Sequence, residues 1–176
     1  MYRKSSKPLI SAREINERLD TLGKDVAAFG CDIVITVLSG GFIFSADICK
    51  RIATPKLQLA FIRASSYGSG TESSGNLKIT GLENIDIRDK KVLVIDDILD
   101  TGNTMFGIKQ ALAGMGAKEI KTCVLLDKPA RRTADITADF AGFEVENKFV
   151  VGYGLDYAGD YRTFPEIWTM EEDDGK

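Results

Sequence analysis

Short apolar runs alternate with helix-patterned segments along most of this 176-residue chain, and that alternation constrains the fold more than any other feature. Residues 33–38, 57–64, 91–97 and 120–127 are near-continuous apolar stretches rich in Val, Ile and Leu, the pattern of strands covered on both faces. Between them lie helical patterns. Ser11-Ala12-Arg13-Glu14 has the form of a capping box. Ile15, Leu19, Leu22, Val26 and Phe29 follow at spacings of 4, 3, 4 and 3, one face of a helix that Gly30 ends. A mostly apolar helix is expected over 42–52, and another over 102–114 with Met105, Ile108, Leu112 and Met115 on one face. Two shorter strands are expected around Phe140 and over 148–151. Strands alternating with helices predict an α/β fold: a twisted, mainly parallel sheet with helices on both faces. Ligands in such sheets lie beyond the carboxyl ends of strands, which directs attention to residues 39–41, 96–104 and 127 onward.

Composition removes several function classes. Hydrophobic residues make up 44%, as in ordinary globular proteins, and no apolar run approaches the ~20 residues of a membrane span, so no membrane partner is expected. The first ten residues lack an apolar core, so no secretory signal is expected. A net charge of −3 gives no reason to expect a nucleic-acid partner. Cys31, Cys49 and Cys123 are far apart and show no metal or redox spacing, which fits a reducing cytoplasm. The chain has no histidine. Ser-His and Cys-His nucleophile systems are therefore excluded, and acid–base chemistry must rest on carboxylates, Lys, Tyr or the substrate.

The stretch VLVIDDILDTGNT, residues 92–104, concentrates the chemistry. Asp100-Thr101-Gly102-Asn103-Thr104 follows a strand and opens a helix, where free N–H groups and the helix dipole favour an anion. Gly102 permits close backbone approach, and Thr101 and Thr104 add hydroxyl donors. The stretch is not a P-loop, because the Gly-Lys-Ser/Thr ending is missing, and no G-x-G-x-x-G occurs in the chain. Asp96 and Asp97 close the strand, and the period of two predicts that they point to opposite faces. Carboxylates beside a phosphate site repel their ligand unless hydroxyls or a divalent cation intervene. A ribose phosphate supplies the hydroxyls and Mg²⁺ the cation.

The same stretch resembles the phosphoribosyl pyrophosphate motif of type I phosphoribosyltransferases: an apolar strand, two acids, two apolar residues, then D-T-G-x-T. VLSGGFIFSADI resembles the pyrophosphate loop of that family, and SSYG the start of its mobile lid. LLDKPARR resembles its base-recognition strand end, and KFVVGYGLDYAGDYR its remaining base and pyrophosphate segment. Together these span residues 37–162, and the specific likeness is to the hypoxanthine (6-oxopurine) members.

The resemblance implies one phosphoribosyltransferase domain over residues 1–176, with a core from about residue 30 to about 145 and a small hood built from the terminal segments. It implies that Asp100, Thr101, Gly102, Asn103 and Thr104 hold the 5′-phosphate, and that Asp96 and Asp97 contact the ribose hydroxyls directly or through Mg²⁺. Asp100 also faces purine N7 as the proton-handling, catalytic group. Ser39 and Gly40 offer backbone to pyrophosphate, often through a cis peptide in this family, and Arg162 reaches the same group. Lys128 donates to O6 of the base, Phe149 stacks on it, Ile98 packs on its other side and Val150 reads its edge through backbone groups. Asp156 lies at the purine site and binds a second Mg²⁺ through water. Ser66 and Tyr67 belong to the lid. The implied substrates are phosphoribosyl pyrophosphate and hypoxanthine or guanine, and the implied assembly is a homodimer or homotetramer. A related transferase acting on xanthine or a pyrimidine, and a non-catalytic phosphoribosyl pyrophosphate-sensing regulator, are the alternatives. Two positions depart from the family pattern: Ser39 stands where members usually carry Lys or Arg, and Asn103 replaces a frequent Lys.

Overall fold

A computed structural model describes residues 2–66 and 77–172. Strands β1 (Tyr2–Lys4), β2 (Ile33–Leu38), β3 (Gln58–Ser66), β4 (Leu77–Thr80), β5 (Lys91–Leu99), β6 (Glu119–Asp127), β7 (Phe140–Glu144), β8 (Val150–Val151) and β9 (Trp168–Glu172) form two sheets. Helices α1 (Ala12–Phe29), α2 (Phe42–Arg51) and α3 (Asn103–Gly114) connect them, and Pro129–Arg131 makes one 3₁₀ turn. Tyr67, assigned to the lid above, lies outside the described residues, and Ser66 is the last residue of β3.

The larger sheet has the order β4-β3-β2-β5-β6-β7, with β4 antiparallel at one edge and every other pair parallel. Strand period explains how it is covered. Val34, Leu93, Ile95, Cys123 and Leu125 meet the apolar faces of α1 and α2. Their neighbours Ile33, Ile35, Val37, Val92, Val94 and Val124 meet Met105, Ile108 and Leu112 of α3 on the other face. Burying such side chains fully contributes about 1.5–3 kcal/mol each.

The capping box is present. Ser11 N–H donates to Glu14 Oε2 at 2.8 Å, Glu14 N–H donates back to Ser11 Oγ at 3.3 Å, and Gly30 ends α1 in the left-handed region. The five apolar residues read as one face of α1 are all buried.

From β2 the chain turns outward to β3; from β5 it proceeds the other way to β6 and β7. The crevice beyond the adjacent carboxyl ends of β2 and β5 is therefore where an open α/β sheet accepts a ligand. The smaller sheet, β1-β9-β8, pairs the two terminal segments, and Ile10 bridges to Ile167. No helix among the described residues is long and apolar enough to cross a membrane.

Candidate active site

Asp96 and Asp97 end the buried run of β5 and are themselves partly buried. They do not diverge as the strand period predicts. Asp96 Oδ1 folds back to accept the Asp97 N–H at 2.9 Å, and this brings the two carboxyl groups within repelling distance. Burial, then the charge of Asp97, pushes the Asp96 carboxyl well above the ordinary carboxylate range. Burial also raises Asp97, against lowering contributions from its hydrogen bond with Asp96, from backbone N–H groups and, least, from the charge of Arg162.

The loop after β5 is shaped by Gly102. Its φ is 86°, a left-handed conformation, and a Cβ there would stand 2.6 Å from Ile136 Cγ2 and 2.8 Å from Arg132 Cδ. Gly102 is the N-cap of α3 and makes no side-chain cap, so the amino end of the helix keeps free N–H groups. Asp96, Asp97, Ile98, Asp100, Thr101, Gly102 and Thr104, with Leu99 and Met105, line a cavity of about 200 Å³ at that end. A phosphate-sized anion fits such a cradle.

Asp100 sits at its mouth. Its Oδ1 is buried with no hydrogen-bond donor among the described residues, although Arg131 Nε lies 3.0 Å away in a charge contact that is not aligned as a hydrogen bond. Arg132, which the sequence reading did not single out, organises this corner. Its guanidinium donates to Asp100 O at 3.0 Å, Leu99 O at 3.1 Å and Ile136 O at 2.7 Å, and it pairs with the Asp127 carboxylate. One half-buried cation thus ties the ends of β5 and β6 to the loop that supports Gly102. A second Arg directly after D-K-P-A-R was the available signal.

Lys128 is buried, with its Nζ donating to Lys148 O at 2.5 Å, and burial lowers its ammonium below the usual lysine range despite the charge of Asp100. The lysine therefore links the end of β6 to the segment entering β8. Beside it Phe149 is 45% exposed, an unusual state for a strand-end Phe, and meets Tyr157 edge-on at 5.7 Å. Val150 is buried in β8, where its backbone pairs with Thr169.

On the β2 side, the Leu38–Ser39 peptide is cis, in line with the resemblance. Gly40 lies directly against Asp97: a Cβ there would stand 1.8 Å from the Asp97 carboxylate. Ser39 is exposed. Arg162 pairs with Asp156 Oδ1 at 2.7 Å and donates to Gly154 O at 2.7 Å, and its charge reaches Asp97. Asp156 Oδ2 accepts the Gly159 N–H at 2.8 Å.

Asp96, Asp97 and Asp156 do not gather into a metal cage, and no group of three or more acidic, His or Cys side chains among the described residues does. The donor set still fits Mg²⁺, which is held typically by one or two carboxylates together with waters and substrate phosphates. Asp96 and Asp97, whose repulsion a cation would relieve, are the residues to hold it.

An anion cradle at a helix amino end, a carboxylate pair on the preceding strand and a glycine loop on the neighbouring strand define a nucleotide- or sugar-phosphate-handling transferase site. Residues 10–158 match the phosphoribosyl transferase domain family. The chain is 42% identical over 173 residues to a hypoxanthine-guanine phosphoribosyltransferase of Aquifex aeolicus, covering 96% of this chain and 97% of that protein. It is 38% identical over 164 residues to a hypoxanthine phosphoribosyltransferase of Salmonella typhimurium, covering 90% of this chain and 92% of that one. A crystal structure of a Staphylococcus aureus hypoxanthine phosphoribosyltransferase superposes with a TM-score of 0.88 at 38% identity, over 94% of this chain and 91% of that one. The chain belongs to the phosphoribosyltransferase family.

The raised Asp96 carboxyl yields a stability prediction. An acid whose folded pKa is raised opposes folding once ionised, fully above the folded pKa and not at all below the unfolded one. In metal-free buffer at neutral pH, Asp96→Asn should raise Tm by about 2–4 °C, the effect of ~1 kcal/mol on a chain of this size. The gain should shrink as pH falls into the ordinary carboxylate range. Calorimetry of both proteins at several pH values checks this; a Tm at or below the parent's at neutral pH contradicts it.

Proposed function

We propose that this chain transfers the phosphoribosyl group of phosphoribosyl pyrophosphate to N9 of a 6-oxopurine, hypoxanthine or guanine, forming IMP or GMP and pyrophosphate in purine salvage. The observation that carries this reading is the uncapped amino end of α3 lying beside the Asp96–Asp97 pair. A phosphate needs the first and ribose hydroxyls suit the second.

In the reaction the C1–O bond to pyrophosphate breaks and the C1–N9 bond forms, with inversion. Thr101, Gly102, Asn103 and Thr104 hold the 5′-phosphate and so fix the ribose. Asp96 and Asp97 orient it through the hydroxyls. Mg²⁺, when bound, neutralises charge on the departing pyrophosphate. Ser39 and Gly40 present backbone to that group, and Arg162 adds a cation. Lys128 donates to O6, with Phe149 and Ile98 on the two faces of the base and Val150 at its edge. The base proton passes to Asp100, whose buried Oδ1 has an acceptor site to spare.

The test is an initial-rate panel with hypoxanthine, guanine, xanthine and adenine. Adenine presents an amino group where the others carry O6, and a buried donor discriminates strongly against a ligand that leaves it unpaired. Hypoxanthine or guanine should be preferred over adenine by orders of magnitude, excess chelator should abolish transfer, and Lys128→Ala should erode the preference. Equal kcat/KM for adenine and hypoxanthine in the parent refutes the base pocket.

Asp100→Asn isolates the proton step. Asn keeps the shape but carries no charge and cannot accept a proton. The variant should fold, bind donor as well as the parent, and lose about 10²–10⁴-fold in kcat. A kcat within about twofold of the parent, well short of the general acid–base range, would assign the proton to water or substrate.

We also propose self-association, as a homodimer or homotetramer, in a reducing cytoplasm where the three cysteines stay free. Helices α1 and α2 leave the outer face of β3 uncovered: Phe42, Leu59 and Phe61 are 54%, 55% and 47% exposed around an apolar groove of about 380 Å³. A second copy of this chain is its proposed occupant, because Phe42 directly follows Gly41 and couples that face to the site. Sedimentation should show an oligomer that Phe61→Lys dissociates; a monomeric parent refutes the assembly.

A further inference from the structure

Tyr153 is buried, 6% exposed, in a turn whose backbone is left-handed at three successive residues: Gly152, Tyr153 and Gly154 have φ of 99°, 51° and 105°. A non-glycine residue pays for that conformation, so something must hold it. Backbone bonds do so locally: Gly152 N–H to Leu155 O at 3.0 Å, Leu155 N–H to Gly152 O at 3.1 Å, Tyr153 N–H to Phe164 O at 2.8 Å and Gly154 N–H to Arg162 O at 2.9 Å. Arg162 Nη1 also donates to Gly154 O at 2.7 Å. The tie to α2 is long-range. The Tyr153 hydroxyl donates to Asp47 Oδ2 at 2.5 Å. Asp47 lies in α2, the helix that begins directly after Ser39–Gly41. It is braced there, with Lys50 Nζ donating to Oδ1 at 2.9 Å and Arg51 donating to its backbone carbonyl at 3.1 Å.

What the turn rests on gives the bond a purpose. A Cβ on Gly154 would stand 2.1 Å from Gly40 O, and a Cβ on Gly40 would stand 1.8 Å from the Asp97 carboxylate. Gly154, Gly40 and Asp97 are therefore stacked with no spare space. The loop between them cannot move unless the turn above it moves. Gly41 N–H already donates to Val37 O at 3.1 Å, while Gly40 N–H has no backbone acceptor among the described residues. Ser39 brings no charge. Pyrophosphate held here depends on where the backbone amides stand, with no flexible cation on the loop to compensate for a displacement.

We propose that Tyr153, through its hydroxyl bond to Asp47, is a positioning residue for the pyrophosphate loop: it pins the turn at residues 152–155 to α2 and so fixes the height of the Gly40 amide. The proposal rests on the reading of Ser39–Gly41 as the pyrophosphate loop. Tyr153 touches neither substrate. Its contribution is to donor affinity and not to the base or the proton.

Tyr153→Phe removes the hydroxyl and keeps the ring in place. KM for phosphoribosyl pyrophosphate and the inhibition constant of inorganic pyrophosphate should each rise about tenfold, the usual worth of a hydrogen bond to a charged group. KM for hypoxanthine and kcat should stay within about twofold, well below that change. Asp47→Ala should reproduce the donor defect, and adding Tyr153→Phe to it should change nothing more, because both remove one bond. Asp47→Asn retains an acceptor for the hydroxyl and should restore donor KM. A merely structural bond would lower Tm with no donor-specific change, or shift both KM values together, and either result overturns the proposal. Gly40→Ala separates the two readings. If it leaves donor KM and pyrophosphate inhibition unchanged, the loop assignment falls and the positioning role with it. If it abolishes donor binding while Tyr153→Phe has no effect, the loop assignment stands and the positioning role alone is overturned.

Discussion

The repulsion between Asp96 and Asp97 is the constraint around which this site is arranged. Two carboxyls pressed together at the end of a buried strand oppose folding, and burial makes the cost larger. Nothing in packing requires them there; asparagines would fill the same space. The proposed ligand gives the arrangement a reason, because the hydroxyls of a phosphorylated sugar and a divalent cation would discharge the repulsion that the free protein carries. A site of this kind trades stability for binding.

Around that pair the polarity is partitioned. On the proposed reading, the acidic pair faces the ribose. Cations stand on two flanks: Arg162 within reach of Asp97, and Lys128 and Arg131 beside Asp100. Arg132 is different in kind. Its donors go to three backbone carbonyls and the Asp127 carboxylate, so its charge is consumed in structure. Among adjacent arginines, 131 is available to the chemistry and 132 to the scaffold. Their backbone setting separates them, since residue 131 closes the 3₁₀ turn and 132 leaves it extended.

Local pattern carried most of the larger sheet. The four apolar runs and the α1 face are where period and capping predict them, because each segment's own pattern marks the face it buries. The missed strands all depend on long-range pairing. Strand β4 has only alternating partial burial and exists through antiparallel pairing with β3; β1 and β9 exist through pairing with each other across the whole chain. The divergence expected of Asp96 and Asp97 failed because a carboxylate can accept its neighbour's N–H, which the strand period does not encode. Of the candidate residues, those on the β5–α3 turn other than Asn103 share one cavity because the sequence itself is contiguous there. Lys128, Phe149 and Arg162 reach that region through β6 and the segment around β8, and only a resemblance could assemble them from sequence. Tyr153 and Asp47 are 106 positions apart, and neither carries a local sign of the other.

If Ser39–Gly41 is the pyrophosphate loop, as proposed, the exposed Ser39 changes how affinity for the donor must be generated. A lysine on that loop would act as a mobile point charge, tolerant of displacement because Coulomb attraction varies slowly with distance. Backbone amides are short-range donors whose strength falls steeply with misalignment. Replacing the first with the second transfers the burden from charge to geometry. The packing is what such a change demands. Gly40 is held from below by the Asp97 carboxylate and from above by Gly154, at separations that leave no room for a methyl group. Rigidity assembled from three distant segments of the chain can then do what a single charged side chain does elsewhere, at less risk of being screened by salt.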